Sequence, residues 1–188
     1  MPTQSLSTLR LVLRRWREED LTPYAAMTAD PLGMKHLGGV KTHAEAMATA
    51  ERYSSHFATH GYGFWVVEVP GVAQFAGIAG IKYGEILIPD IPSPWIEIGW
   101  QLVHDHWGHG YATEAAQAAL NHGFREHHLA EVIAMTAPEN KRSRRVMDRL
   151  GMTYDPKADF DYPTLPAGDA ASRRIIYRVK TETPVLSS

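Results

Sequence analysis

The sequence predicts one α/β domain with a mixed central sheet of about six to seven strands, a parallel central pair and about four flanking helices. Three consecutive stretches support this class. Residues 95–103 alternate in hydrophobicity, residues 113–124 are Ala-rich at helical spacing, and residues 130–137 are again strand-like. Because a strand, a helix and a strand in succession form a βαβ unit, the two strands are expected to be parallel. Residues 62–83 instead predict an antiparallel hairpin, which makes the sheet mixed.

The first part of the chain predicts one strand and two helices. Residues 9–16 alternate and predict a strand whose alternating Arg side chains form a solvated face. Residues 17–30 predict a helix with acidic residues in its first turn. A second helix is expected over 43–59, because Thr42 and Glu45 have the spacing of a capping box.

The remaining elements follow from alternation, proline content and helix-end signals. We expect residues 8–180 to form the domain, with 1–7 and 181–188 as tails. The further predicted elements are strands at 64–69 and 75–83, a proline-rich loop at 84–94, a helix at 139–150 ended by Gly151, a loop or hairpin connection at 155–170, and a last strand at 172–179.

Composition excludes several classes of protein. The length of 188 residues suits one domain. The 19 basic and 21 acidic residues give a net charge of −2, which argues against DNA binding driven by overall positive charge. The absence of Cys excludes disulfides, thiolate metal sites and a Cys nucleophile. Residues 1–5 show no signal-peptide pattern, and no apolar run reaches the roughly 20 residues of a membrane helix, so we expect a cytoplasmic protein without membrane contact.

A glycine-rich turn joins the predicted strand 95–103 to the helix that follows. Gly108 and Gly110 let a ligand approach the backbone, and the first N–H groups of a helix attract anions. The turn is therefore a candidate phosphate cradle. It lacks the Gly-Lys-Ser/Thr of a P-loop, and Thr113 stands where the dinucleotide fingerprint has its third Gly. The alternative is a tight strand–helix turn without a ligand.

The longer strings carry a family resemblance. Residues 97–100 and then 107–115 resemble the acyl-CoA-binding motif of the GNAT N-acetyltransferases, in the Rim-type branch that acetylates ribosomal-protein N-termini. Residues 140–152 are similar to the Asn-x-x-Ser…Leu-Gly-Phe block that follows in that branch. The resemblance covers about 8–180 and implies a GNAT-like fold. It also implies transfer of an acetyl group from acetyl-CoA to a primary amine, a protein N-terminus or a small molecule, by direct attack.

The resemblance also implies the acetyl-CoA site. The turn would hold the pyrophosphate and the backbone edge of Leu102 and Val103 the pantetheine. The basic run Arg142, Arg144, Arg145 and Arg149 offers one or two side chains, Arg145 among them, for the 3′-phosphate, and a solvated helix face is the favoured alternative for each arginine singly. His109 stands where relatives carry Lys or Arg, which weakens the side-chain contact but not the backbone cradle. The expected cofactor-binding residues are Leu102, Val103, Trp107, Gly108, His109, Gly110, Tyr111, Ala112, Thr113, Asn140 and Arg145.

The leaving thiolate needs a hydrogen-bond donor. Many relatives use a Tyr, but the matching position here is Met147, which cannot donate. Asn140, Ser143 and Met147 fall on one face of the predicted helix. We therefore expect Ser143 to support the sulfur while Asn140 holds the pantetheine. The alternative is that both residues only satisfy the first turn of their helix.

Glu97 is the candidate base, because some GNAT enzymes place a catalytic Glu at this strand position. Between Ile96 and Ile98 its carboxylate would lie in apolar surroundings that raise its pKa toward a useful value. The alternative is a structural Glu that bonds a neighbouring strand.

Two rival functions remain at this stage. A non-catalytic acyl-CoA-binding protein would keep the fold without the chemistry. A metalloprotein would use His104, His106 and His109, but His109 lies inside the phosphate turn, and we expect no metal. The acceptor amine is undetermined, and both a monomer and a homodimer are compatible with the sequence.

Overall fold

The computed structural model describes residues 5–84, 86–88, 91–162 and 172–181. Within them the chain forms nine strands and five α-helices. The strands are β1 (Ser5–Ser7), β2 (Val12–Arg14), β3 (Phe64–Val69), β4 (Ala73–Tyr83), β5 (Ile96–Leu102), β6 (Glu131–Thr136), β7 (Thr153–Tyr154), β8 (Phe160–Asp161) and β9 (Arg173–Lys180). The helices are α1 (Leu21–Ala29), α2 (Pro31–Met34), α3 (His43–His60), α4 (Tyr111–Glu126) and α5 (Lys141–Arg149).

The strands form one open mixed sheet. Its order is β1-β2-β3-β4-β5-β6-β9-β7, with β8 also paired to β9. Only β5 and β6 are parallel among the described pairs, so the prediction of a mixed sheet with a parallel central pair is confirmed. The counts exceed the expected ones because β1, β7 and β8 are two- or three-residue strands and α2 is a single short helix.

The parallel pair β5 and β6 stays together over a short distance. In the described chain, Glu97 opposite Ile133 is its one register pair, whereas β5 matches β4 at seven positions that run to Leu102. Beyond Glu97 the carboxyl-terminal half of β5 therefore has β4 on one side and a gap on the other. Ligands of open α/β sheets bind at such an opening beyond the carboxyl ends of strands.

Helices cover both faces of the sheet. The Ala-rich face of α4 buries Ala115, Ala116 and Ala119 against strand residues such as Ile98. Small residues allow the helix to approach the strands closely. On the opposite face, α1 and α3 bury Tyr24, Met27, Ala46 and Ala50 against Phe64 and Ile78.

The capping box predicted for α3 is confirmed. The Thr42 hydroxyl accepts a hydrogen bond from Glu45 N–H at 3.3 Å, and the Glu45 carboxylate accepts one from Thr42 N–H at 2.7 Å. These contacts fix the start of the helix, and Gly61 at φ 77° ends it in the left-handed conformation.

The prediction for residues 9–16 is wrong in two respects. The strand is limited to Val12–Arg14, and Arg14 is buried rather than solvated. Its guanidinium donates to Asp20 at 2.7 Å and to Glu68 at 2.8 Å. A buried charge of this kind requires partners on other elements, which alternation along one strand does not reveal.

Two further predictions are corrected. The helix expected at 17–30 is a 3₁₀ turn at 18–20 followed by α1, because Asp20 accepts from the backbone N–H of Arg17 and ends the extended segment there. For residues 155–170 a loop or a hairpin connection was expected; in the described part β8 pairs antiparallel with β9, as in a hairpin, and a 3₁₀ turn at 156–158 that was not predicted precedes it. The parts of predicted segments at 1–4, 85, 89–90, 163–171 and 182–188 lie outside the described residues. No helix in the described chain is long and apolar enough to cross a membrane.

Candidate active site

The glycine-rich turn is built at the end of β5. Trp107 Nε1 donates to the carbonyl of Leu102 at 2.9 Å, which folds the turn back over the strand end. Gly108 and Gly110 have φ values of 84° and 82°, which disfavour any residue with a Cβ. A Cβ on Gly108 would meet no atom within 4 Å, so the backbone there faces open space.

The turn leads directly into the N-terminus of α4. The N-cap residue is Gly110, and no side chain of the described chain caps the first turn. The leading N–H groups of a helix have no partners within the helix, and the helix dipole adds positive potential there. This end of α4 can therefore bind an anion such as a phosphate.

An N-terminal segment braces the turn from outside. Arg10 Nε donates to Glu114 Oε2 at 2.7 Å, and Arg10 Nη1 donates to the carbonyl of His109 at 2.9 Å. Thr8 Oγ1 and Arg10 N–H also donate to the Glu114 carboxylate. The sequence analysis missed this brace, because an acidic residue in a helix's first turn is common and nothing in the sequence identifies its partner.

Three polar side chains connect β6 to α5. Asn140 Nδ2 donates to Thr136 Oγ1 and to Ser143 Oγ, each at 3.0 Å. Asn140 Oδ1 accepts from Ser143 N–H at 3.2 Å. Both amide hydrogens of Asn140 are thus used inside the protein, whereas the Ser143 hydroxyl, which accepts from Asn140, keeps its own hydrogen for another partner.

A cavity of about 810 Å³ lies between the turn, the gap beside β5 and α5. Its lining includes ten of the predicted site residues, which the fold brings together: Leu102, Trp107, Gly108, Gly110, Tyr111, Ala112, Thr113, Asn140, Ser143 and Arg145. The lining residues that the sequence analysis did not assign to the site include Lys35, His36, Trp100, Gln101, Glu139 and Val146. Most of these follow no motif, and their role depends on tertiary placement.

One wall of the cavity is strongly basic. Lys141, Arg142, Arg145 and Arg149 of α5 all line it and are exposed to solvent. The Arg142 guanidinium lies 4.4 Å from the ring centroid of Trp107, a cation–π contact that joins α5 to the turn. Together with the α4 N-terminus, this wall can bind a ligand that carries several phosphates.

Three predicted residues do not line the cavity. Val103 donates its N–H to the carbonyl of Ala76 on the β4 side at 2.9 Å, so the backbone edge predicted for the pantetheine is reduced to Leu102. His109 is exposed, and its ring stacks on Tyr111 with centroids 5.4 Å apart. The backbone of His109 remains part of the turn, but His109 is not among the residues that line the cavity.

Glu97 is the third predicted site residue that does not line the cavity, and its surroundings differ from those expected. Its carboxylate forms an ion pair with Lys82 Nζ at 3.0 Å across the β4–β5 ladder. The neighbourhood is therefore charged rather than apolar, because the side chain points to the face of the sheet opposite Ile96 and Ile98. The geometry favours the structural alternative for Glu97.

The His-x-His-x-x-His segment does not converge on one point. His104 lies near Asp105 and Trp107, while His109 stacks on Tyr111. Among the residues that the structure describes, no group of three or more His, Asp or Glu side chains is placed to hold a metal ion.

Comparison with solved structures agrees with this architecture. An acetyltransferase from Agrobacterium tumefaciens superposes with a TM-score of 0.76 at 27% identity, covering 95% of both chains. RimL, a ribosomal α-N-protein acetyltransferase in complex with coenzyme A, superposes with a TM-score of 0.71 at 17% identity, covering 94% of this chain and 97% of RimL. At that identity the likeness to RimL concerns the fold alone.

Sequence comparison identifies the family. The uncharacterised N-acetyltransferase YnaD of Bacillus subtilis strain 168 is 34% identical over 149 residues, which cover 78% of this chain and 81% of YnaD. The acetyltransferase (GNAT) domain family matches residues 10–153, about three quarters of the sequence. The chain therefore belongs to the GNAT acetyltransferase family.

Proposed function

We propose that residues 8–180 form an N-acetyltransferase that transfers the acetyl group of acetyl-CoA to a primary amine by direct attack. The observation that carries this proposal is the cavity of about 810 Å³, where an uncapped helix N-terminus, a basic helix and the open edge of β5 meet. These three features match the pyrophosphate, the 3′-phosphate and the amide-bearing pantetheine arm of acetyl-CoA.

The phosphates would be held mainly by backbone and by α5. The N–H groups from Gly108 to Thr113 face the pyrophosphate, since Gly108 leaves the approach open and no side chain of the described residues caps the helix. Arg142 and Arg145 in the cavity wall supply positive charge to the 3′-phosphate.

The pantetheine arm would lie along the free side of β5. Successive backbone groups of a strand point to alternate sides, and Val103 N–H points to β4. The N–H of Leu102 therefore points into the gap beside β6, where no register pair is found beyond Glu97 in the described chain. An N–H in this position can pair with an amide of the arm or polarise the thioester carbonyl.

The chemical step needs support for the leaving sulfur. The amine nitrogen bonds to the thioester carbonyl carbon, the carbon–sulfur bond breaks, and the sulfur leaves as a thiolate with the bonding pair. Ser143 lines the cavity with an unused hydroxyl hydrogen that can bond to this thiolate. Asn140, itself held by Thr136, orients Ser143 rather than serving mainly as a ligand of the pantetheine.

The acceptor would be a protein N-terminus or a small-molecule amine. RimL, which shares the fold, acts on a ribosomal protein α-amine. The acceptor would enter beside residues 32–33 and 35–37, which line the cavity and belong to α2 and the turn after it. Exposed Leu32 and Leu37 make this entrance partly apolar. Entrance loops vary among members of one fold, so the acceptor has to be found by experiment.

Thiol release tests the function. Purified protein is mixed with acetyl-CoA and one amine at a time: a short peptide with a free α-amine, spermidine, or an aminoglycoside. We expect CoA to be released in proportion to acetylated amine for at least one of them. Tight binding of acetyl-CoA without release for any amine would instead support the non-catalytic acyl-CoA-binding alternative.

A further inference from the structure

Part of the cavity wall is formed by α2 and the turn that follows it. Gln101 Nε2 of β5 contacts Met34 Sδ at 3.1 Å, and Met34 is buried. Leu37 N–H then donates to the Met34 carbonyl at 2.9 Å. This closed turn anchors His36, which is half-buried and lines the cavity, to the same stretch of β5 that borders the gap.

The reaction needs a proton acceptor in this cavity, and Glu97 is not one, because it lies outside and is paired with Lys82. Four described lining residues carry an imidazole or a carboxylate, the side-chain types that most often serve as general bases: His36, His104, His106 and Glu139. His104 and His106 belong to the 3₁₀ turn that immediately precedes the phosphate turn. They therefore adjoin the turn that is proposed to hold the pyrophosphate.

His36 follows α2 and Glu139 precedes α5, so neither belongs to the phosphate turn. Glu139 directly precedes Asn140, which orients Ser143, and it interacts electrostatically with His36. Burial lowers the pKa of His36, the positive charges of Lys35 and Arg174 lower it further, and the negative charge of Glu139 opposes them. The ring is thus neutral at neutral pH and has one acidic neighbour that favours its protonated form.

We infer that His36 is the general base that takes the proton from the acceptor amine, and that Glu139 is a positioning residue that stabilises the resulting imidazolium. This inference rests on the proposed function. The amine nitrogen becomes positively charged as it bonds to the carbonyl carbon. A proton then passes from this nitrogen to the unprotonated ring nitrogen of His36. The sulfur departs as a thiolate, and the imidazolium later returns its proton to water, so charge and atoms balance.

The kinetic test compares His36→Gln with the wild type, using the amine of the thiol-release panel that reacts fastest. Because His36→Gln lacks the general base, its kcat should be about 100-fold lower than that of the wild type near neutral pH. The dissociation constant of acetyl-CoA should stay unchanged. The wild-type kcat should fall as the pH drops below the ordinary His value of 6.5, and His36→Gln should lose this dependence. The matched control is His43→Gln, which removes an exposed histidine at the start of α3 and should keep the wild-type rate.

A second measurement examines the pair directly and needs no acceptor. NMR titration of the His36 ring in the CoA-bound protein should show a pKa below its ordinary value, and Glu139→Gln should lower the pKa of His36 further. An unchanged value in Glu139→Gln would overturn the role of Glu139. A His36→Gln enzyme with the wild-type rate would overturn the base assignment alone, whereas a wild type that releases no CoA would overturn the proposed function as well.

Discussion

Arg10 and Glu114 form an ion pair of 2.6 Å between the segment that precedes β2 and the first turn of α4. The same guanidinium donates to the carbonyl of His109, so one side chain contacts both the phosphate turn and the helix that it starts. Burial raises the pKa of Glu114, but hydrogen bonds from Thr8 and Arg10 outweigh it and leave the pKa below its ordinary value. The carboxylate is therefore charged at neutral pH and pairs with the guanidinium that contacts the turn.

Breaking this brace should weaken cofactor binding. Arg10→Met leaves the Glu114 carboxylate at the helix N-terminus without its charged partner and frees the His109 carbonyl, so the turn samples other positions. We expect the dissociation constant of CoA to rise about tenfold, measured by calorimetry at neutral pH. Arg125→Met, an exposed arginine in the last turn of α4, is the matched control and should bind like the wild type. Equal affinities for the wild type and Arg10→Met would contradict the role of the brace.

The hydroxyl of Ser143 should matter for turnover more than for affinity. The Ser143 hydrogen bond would stabilise the negative charge that develops on the sulfur during the reaction. Its loss in Ser143→Ala should therefore lower kcat about ten- to hundredfold, with little change in the affinity for acetyl-CoA. Equal losses in rate and affinity would assign Ser143 to binding instead.

Thr136 should act through Asn140. Thr136→Val removes the acceptor for one Asn140 amide hydrogen, and the amide then loses its fixed orientation toward Ser143. We expect kcat to fall about tenfold in Thr136→Val and to recover in Thr136→Ser, which restores the hydroxyl. Failure of Thr136→Ser to recover would mean that the methyl group, and not the hydroxyl, is what matters.

Glu97 should contribute to stability and not to the chemical step. Glu97→Gln removes the charge of one carboxylate that pairs with Lys82, whose side chain is largely buried. For partly exposed pairs we expect a loss of about 1 kcal/mol or less, seen as a melting temperature lowered by roughly 2–4 °C per kcal/mol. The rate should stay near that of the wild type, and a large loss of kcat with unchanged stability would return Glu97 to the role of base.

Two histidines make stability depend on pH. His122 Nε2 and His127 Nε2 lie 3.2 Å apart, so one ring must be neutral to accept from the other. Burial lowers the pKa of His122, and the neighbouring His127 lowers it further. Burial also lowers the pKa of His127, although Glu126 opposes this.

The pKa values of His122 and His127 are lower in the folded chain than in the unfolded chain, and this difference favours the folded state at neutral pH. This stability is complete above the ordinary value of 6.5 and is lost as the pH falls below it, because the unfolded chain takes up protons first. We therefore expect the melting temperature to drop between pH 6.5 and more acidic pH, and His122→Gln to flatten this drop. An unchanged slope in His122→Gln would show that other groups carry the pH dependence.

The sequence predicted the parts of the site that depend on local signals. Thr42 and Glu45 are three residues apart and their capping box is confirmed, and the βαβ unit 95–137 folds as expected because its alternation and helical period are internally consistent. The strand–turn–helix geometry around Gly108 and Gly110 was predictable for the same reason, since the strand, the two glycines and the helix are consecutive in the chain.

The parts that could not be predicted depend on contacts between distant segments. Arg10 and Glu114 are 104 residues apart, and Lys82 meets Glu97 only because β4 and β5 pair in one register. His36 enters the cavity because Met34 is held by Gln101 of another element. No motif marks these residues. The alternation of polar and apolar residues along 9–16 predicted a solvated Arg14, whereas its side chain is buried.

Calorimetric titration of acetyl-CoA tests the central claim most directly, because the proposed function requires the cavity to hold this ligand. The wild type should bind acetyl-CoA with micromolar affinity. Gly108→Asn should bind far more weakly, since the Asn side chain fills the open approach while Asn accepts the positive φ of 84° better than most residues and the fold is kept. Absence of binding by the wild type, or equal binding by folded Gly108→Asn, would contradict the assignment of this cavity to acetyl-CoA.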